Sequence, residues 1–268
     1  MQRFRTFLKE MAAVNIADLN TEFLKRAQKV TSFNLQTKDF ESLQYKAEIQ
    51  HLFHMHFFPD FDLDNTIKGD IKMDVANKLI KQLKSEDRTN FNKLHYYNLK
   101  GVGPGEATLY FLCDKAMLGG GASAGVDIII AGKKYEVKAA NYSKNTGTLT
   151  GFKLGGTVPL GDMVTKAVEM KNMMGLKTQG KGQNEVNTSQ IDAIRKKFPA
   201  DWKKIEIQYG RAAAKYFGNT PVIFINNNGS GGRLTADGGE IVTIKKVGFN
   251  DIQIHTITQG TIKPRVKV

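Results

Sequence analysis

Apolar residues recur at helical spacing through the first hundred positions, and period-2 alternation sets in only after residue 125. Residues 3–13 and 18–30 predict amphipathic helices, the second with Leu19, Phe23, Leu24 and Ala27 at helical intervals. Thr37 to about His56 predicts a longer helix through Phe40, Leu43, Ala47, Ile49, Leu52 and Phe53. The Phe57–Asn65 stretch, with Pro59, breaks it. Asp70 is placed to cap a helix running through Leu83, and residues 87–97 predict another. Gly101-Val102-Gly103-Pro104-Gly105-Glu106 is a glycine-rich lead into an apolar helical run ending near Met117. The pattern then changes. Val126 to Ile130 is a β-branched run. Ala131-Gly132-Lys133 can reverse the chain, and Tyr135, Val137 and Ala139 alternate with Glu136, Lys138 and Ala140.

Downstream, Asn141 to Thr157 predicts a long polar, glycine-rich loop in which Tyr142 or Phe152 could stack on a base. Helices are expected over 162–174, with a methionine-rich core stripe ending in Met173 and Met174, and over 188–198 and 201–217. Residues 221–226 predict a buried strand, 227–232 a turn, and 240–247, 252–258 and 261–267 an antiparallel set. The order predicts an α/β fold, a mixed central sheet flanked by helices. Residues 1–100 are expected to form a helical region packed on a core spanning 101–268.

Charge changes the picture next. The chain carries 39 Lys/Arg against 26 Asp/Glu, for +13. Residues 1–100 hold 16 and 13 of these, so the remaining 23 and 13 give +10 to residues 101–268. A basic excess is the electrostatic footprint of a phosphate-rich partner. Between residues 139 and 181 stand Lys144, Lys153, Lys166, Lys171, Lys177 and Lys181 against only Asp162 and Glu169, which makes those lysines the candidate DNA contacts. No stretch approaches the ~18 consecutive apolar residues of a membrane helix, and the start lacks an apolar signal region. The single cysteine, Cys113, lies in an apolar helical pattern and reads as a small core residue in a reducing compartment.

The chemistry concentrates in the predicted hairpin. Glu136 and Lys138, two apart on one strand, leave the same face, and Asp127 lies on the partner strand. Asp, a gap, then Glu-x-Lys resembles the PD-(D/E)XK nuclease superfamily, with Val126 where many members have Pro. The resemblance covers about residues 100–145. It implies a restriction-endonuclease-like core and Mg²⁺ or Mn²⁺ held by Asp127, Glu136 and the Val137 carbonyl. It also implies Lys138 as a catalytic group and Glu106, from the preceding helix, as a further acidic residue. The implied activity is hydrolysis of DNA phosphodiester bonds. A nuclease core without a helicase or recognition module points to a phage or mobile-element protein, with phage DNA processing or packaging as the expected role and phage virion proteins as partners. The expected location is the host-cell interior or the virion. The rival expectation is a non-catalytic DNA-binding or virion structural protein using the same basic face, and a third is a nuclease directed at RNA. On each view Asp127 and Lys138 are expected at a polar rim.

Two other clusters are weaker. His51, His54 and His56 lack an identifiable fourth zinc ligand. Asp60, Asp62 and Asp64 begin like a calcium loop, but Asn65 and Ile71 stand where it needs Gly and Glu.

Overall fold

The computed structural model describes residues 116–119, 126–154, 160–177, 184–227 and 239–268, with residues 77, 81, 103, 105, 106, 109 and 113. Eight strands form one sheet: β1 (Ala116–Leu118), β2 (Ile128–Ile130), β3 (Lys133–Ser143), β4 (Thr148–Thr150), β5 (Val222–Asn226), β6 (Ile241–Lys245), β7 (Ile252–Thr258) and β8 (Thr261–Lys267). Between β4 and β5 lie helices α1 (Gly161–Met173), α2 (Thr188–Lys197) and α3 (Pro199–Phe217), and a 3₁₀ turn, Phe249–Asp251, precedes β7.

The sheet runs β1-β2-β3-β4-β8-β7, with β5 also beside β3 and β6 beside β5. All neighbours are antiparallel except β3 and β5, which pair in parallel from Glu136↔Val222 to Ala140↔Asn226. The fold is therefore α/β with a mixed sheet. Strand β3 is its branch point. Its first half lies between β2 and β5, and its far end pairs with β4 through Asn141↔Thr150 and Ser143↔Thr148.

Each element follows from a local pattern. Trp202, Ile205, Tyr209, Ala213 and Phe217 recur every three or four residues, giving α3 one buried stripe against β7 and α1. Pro199 lies in the first turn, where its missing N–H costs nothing. In α2 the Asn187 side chain accepts from the Gln190 N–H at 2.9 Å, and the Gln190 side chain accepts from the Asn187 N–H at 3.0 Å. Strand β5, Val-Ile-Phe-Ile-Asn, is buried throughout, as a central strand covered on both faces should be.

The β2–β3 turn is Ala131-Gly132, with φ of 48° and 83°. Two positive φ values define a turn matched to the right-handed twist of a hairpin, and Asn-Gly is the favoured pair there. Ala131 carries the Cβ penalty of that conformation, so Ala131→Asn is expected to stabilise the protein by about 0.5–1 kcal/mol, measured by urea denaturation. An unchanged midpoint would mean that the turn carries no strain.

Several expectations are corrected. The polar stretch after residue 140 is not a single loop: β3 continues to Ser143 and returns as β4, because Asn141, Ser143, Thr148 and Thr150 complete an alternating pattern. Phe152 is buried edge-on against Phe224, with ring centroids 5.4 Å apart, so it cannot stack on a base. The α1 stripe does not extend to Met173, and Lys171 joins it. Met163, Val164, Ala167 and Lys171 are buried, whereas Met173 is 74% exposed.

Of residues 1–100, only Asn77 and Lys81 are described, both helical. The Asn77 side chain donates to Ile241 O at 2.7 Å and accepts from Ile241 N at 3.0 Å, joining that residue to the start of β6. The His51/His54/His56 and Asp60/Asp62/Asp64 clusters lie outside the described residues. Cys113 is buried, as expected, but it is not helical, and Ala116–Leu118 form β1 in place of the expected helical run to Met117. No helix among the described residues is long and apolar enough to cross a membrane.

Candidate active site

The hairpin register brings the acidic residues together. Ile128 pairs with Tyr135, so one step further along the two strands puts Asp127 opposite Glu136. The backbone supports that step: Asp127 N donates to Tyr135 O at 2.9 Å, and Val137 N donates to Asp127 Oδ2 at 2.8 Å. Lys138, two residues beyond Glu136, shares its face. Its ammonium contacts Glu136 Oε1 and lies 3.8 Å from Asp127 Oδ2. Two carboxylates that meet one ammonium are close enough to share a metal ion.

Strand β5 fixes the other side. Glu136 N donates to Pro221 O, and Asn227 N donates to Ala140 O, so the backbones of residues 136, 138 and 140 face β5. Residues 135 and 137 consequently turn their backbone groups toward β2, which gives the Val137 N–H to Asp127. From above, α3 supplies Tyr216, whose hydroxyl donates to Glu136 Oε1 at 2.6 Å. The Lys138 ammonium lies 5.6 Å from the centre of the Tyr216 ring, a cation–π contact.

Burial makes this cluster energetically sharp. Glu136 is 1% exposed, and the side chains of Lys138 and Asp127, both expected at a polar rim, are only 17% and 24% exposed. Glu136 Oε2 is buried and has no hydrogen-bond partner among the described residues. An unsatisfied buried carboxylate oxygen costs free energy unless a donor or cation reaches it. Asp127 has its pKa raised, by burial first and by Glu136, against the lowering effect of Lys138 and the Val137 N–H. Burial lowers the Lys138 pKa, but Glu136 and Asp127 outweigh it and hold the amine above its usual range.

Glu106 completes the electrostatic picture. It is helical, with Gly105 and Leu109. The Gly103 N–H donates to its carboxyl group, as a residue at the third helical position does when it reaches back to the N-cap. A Cβ at position 103 would stand 2.7 Å from Glu106 Oε1, so glycine lets the carboxyl fold back. Burial and the neighbouring Asp127 charge push the Glu106 pKa from 4.5 up to about 8, opposed by the Gly103 N–H and Lys138. As the side chains stand, no three His, Cys, Asp or Glu among the described residues form a ready-made metal cage. The Lys138 ammonium contacts Glu136 and lies beside Asp127, and Glu106 is felt through its charge.

Tyr216 went unnoticed in the sequence. Its position seven residues after Tyr209 marks it as near the buried side of α3, but its aim at Glu136 depends on the parallel β3–β5 pairing. Tyr216→Phe keeps the ring and removes one hydrogen bond to a charged group. It is expected to cost about 1.5–3 kcal/mol, measured by urea denaturation. A loss below about 0.5 kcal/mol would show that the hydroxyl does not hold Glu136.

The candidate DNA lysines divide. Lys144, Lys153, Lys166 and Lys177 are exposed, and Lys181 lies outside the described residues. Lys171 is corrected: it is 2% exposed, four residues beyond Ala167 on the core side of α1, and its amine donates to Glu185 O at 3.0 Å. A buried amine so held cannot meet a phosphate.

No protein-family model, curated protein or solved structure matches the chain.

Proposed function

We propose that the chain is a divalent-metal-dependent nuclease of PD-(D/E)XK type, hydrolysing DNA phosphodiester bonds, with phage DNA processing or packaging as its setting. One observation carries the reading: Asp127, Glu136 and Lys138 converge on one face of a hairpin, around a buried carboxylate oxygen with no hydrogen-bond partner among the described residues. The order of elements also agrees with a restriction-endonuclease-like core. A Glu-bearing helix precedes the strands β1-β2-β3, and helices then lead to β5 beside β3.

The donor set fits Mg²⁺ or Mn²⁺. Both are hard cations that take carboxylate, carbonyl and water oxygens. Asp127, Glu136, Glu106 and the Val137 carbonyl would hold the ion, whose charge would offset the burial, and after it the carboxylate repulsion, that raise the Glu106 and Asp127 pKa values. Bound there, the ion supplies an acidified water and a positive charge beside the phosphate. The chain's own groups do the rest. Lys138, held protonated by its two carboxylates, orients the water and stabilises negative charge developing on the phosphate; it does not act as the base. Tyr216 keeps Glu136 oriented, and the Val137 N–H does the same for Asp127.

The same contacts favour one rival. A Lys138 ammonium already seated on Glu136 is also a self-neutralised structural ion pair, as a non-catalytic DNA-binding or virion protein could carry. Incubating wild type with supercoiled, linear and single-stranded DNA and with RNA, in Mg²⁺, in Mn²⁺ and in EDTA, separates the two. The nuclease reading expects metal-dependent cleavage of DNA. No cleavage of any substrate in either metal leaves the structural protein.

A further inference from the structure

A second basic surface lies on the side of the sheet away from the carboxylate cluster. In β8 the residues alternate, with Ile262, Pro264 and Val266 buried and Lys263, Arg265 and Lys267 pointing the other way. Cross-strand register extends that outer face. Thr148 pairs with Lys267, Gln253 with Arg265 and Thr256 with Lys263, while Leu149 and Val266 pair on the core side. Through β4 the face reaches Asn141 and Ser143 at the end of β3. On that same strand Glu136, Lys138, Ala140 and Tyr142 occupy the alternate face, so the two surfaces are opposite sides of the sheet.

The outer face is basic and unanswered. β4, β7, β8 and the last three residues of β3 contain no Asp or Glu. Some cations elsewhere have carboxylate partners: Arg195 with Asp192 and Glu206, Lys204 with Asp201, and Lys245 with Asp251. Among the described residues no carboxylate forms an ion pair with Lys263, Arg265 or Lys267. Arg265 is held instead by a neutral partner, donating to His255 Nδ1 at 2.9 Å, which orients the guanidinium without neutralising it. Three cations spaced two residues apart, about 6.8 Å per step, repel one another unless a polyanion lies across them. Threonine hydroxyls between them add donors of the kind that contact phosphate oxygens.

We propose that this face, centred on Lys263, Arg265 and Lys267, binds the phosphodiester backbone of duplex nucleic acid. It rests on the nucleic-acid reading above for the choice of polyanion, not on the cleavage chemistry. The outward strand positions carry no Phe, Tyr or Trp, so no stacking platform exists for unpaired bases, and recognition is by phosphate alone. The surface anchors DNA apart from the cutting site and is indifferent to sequence.

Fluorescence anisotropy of a labelled DNA duplex in EDTA, between 50 and 200 mM KCl, tests this without requiring cleavage. The variants are Lys263→Gln/Arg265→Gln/Lys267→Gln and the control Arg195→Gln/Lys204→Gln. Each phosphate contact contributes about 0.9 to the slope of log affinity against log salt, so the triple variant should lose about 2–3 from that slope and bind at least tenfold more weakly near 100 mM. The control should match wild type. Lys263→Gln/Lys267→Gln, which keeps the Arg265–His255 contact, should lose about 2 and guards against misfolding of the triple variant. An unchanged slope in both variants, an equal loss in the control, or no duplex binding by wild type overturns the proposal. So does a loss confined to phosphatidylserine vesicles, which would make the partner a membrane. Wild type that binds duplex through this face but cleaves nothing ends the nuclease reading and leaves this one intact.

Discussion

Lys138→Ala and Asp127→Ala are each expected to abolish metal-dependent cleavage while DNA binding survives. Removing one preorganised charge-stabilising group typically costs about 10²–10³ in rate. The two losses differ in origin. Asp127→Ala removes a ligand and leaves the Val137 N–H without its acceptor, so raising Mg²⁺ or Mn²⁺ should restore part of the activity. Lys138→Ala leaves every proposed ligand in place, so added metal should not restore it. Stability also separates them. Lys138 is the cation on a carboxylate that is 1% exposed, and deleting one partner of a buried pair costs about 3–5 kcal/mol. Its loss should therefore lower the denaturation midpoint in EDTA and be partly offset by Mg²⁺, which can neutralise Glu136 in its stead. Rates must accordingly be compared per folded molecule, with a circular-dichroism melt of each variant. Lys138→Ala cleaving at the wild-type rate would sink the assigned mechanism.

Metal-free protein is expected to lose stability as pH rises from about 5 to 9, and Glu106→Gln should remove most of that slope. The Glu106 pKa is raised from 4.5 to about 8 by burial first and by the Asp127 charge second. A carboxyl whose folded-state pKa is raised binds its proton more tightly when folded. Its contribution is fully present below about 4.5 and is lost as pH rises through 8. Asp127 is shifted in the same direction and adds to the trend. A tenfold change in proton affinity is worth about 1.4 kcal/mol, so the Glu106 shift corresponds to on the order of 3–5 kcal/mol. Urea melts at pH 5, 7 and 9, with and without Mg²⁺, measure it. A bound cation favours the ionised carboxylates, so Mg²⁺ should flatten the curve by stabilising the protein most at pH 9. Identical pH slopes in wild type and Glu106→Gln would show that this carboxyl is not buried against Asp127.

The hairpin was legible because its signals are local. A β-branched run, a turn with Gly132 and strict alternation fix which residues share a face, and the face fixes the Asp127–Glu136–Lys138 convergence. The α3 stripe and the four strands from β5 onward were legible for the same reason. What escaped depends on contacts between distant segments. Tyr216 meets Glu136 only because β5 pairs in parallel with β3, eighty residues apart in sequence at that contact. Lys171 looked exposed until Glu185 O was found to take its amine, and Phe152 looked free until Phe224 packed across it. Composition could not show that Glu136 and Lys138 are enclosed, because charged residues on a strand are ordinarily solvated.

Manganese titrated into metal-free wild type at pH 8, followed by the fall in its free electron-spin-resonance signal, addresses the cluster most directly. One ion should bind per chain, with affinity weakened most in Asp127→Ala and less in Glu106→Gln, while Lys138→Ala still binds. Wild type that leaves the manganese signal unchanged at millimolar concentrations, or Asp127→Ala that binds as tightly as wild type, would contradict a metal centre between Asp127, Glu136 and Glu106.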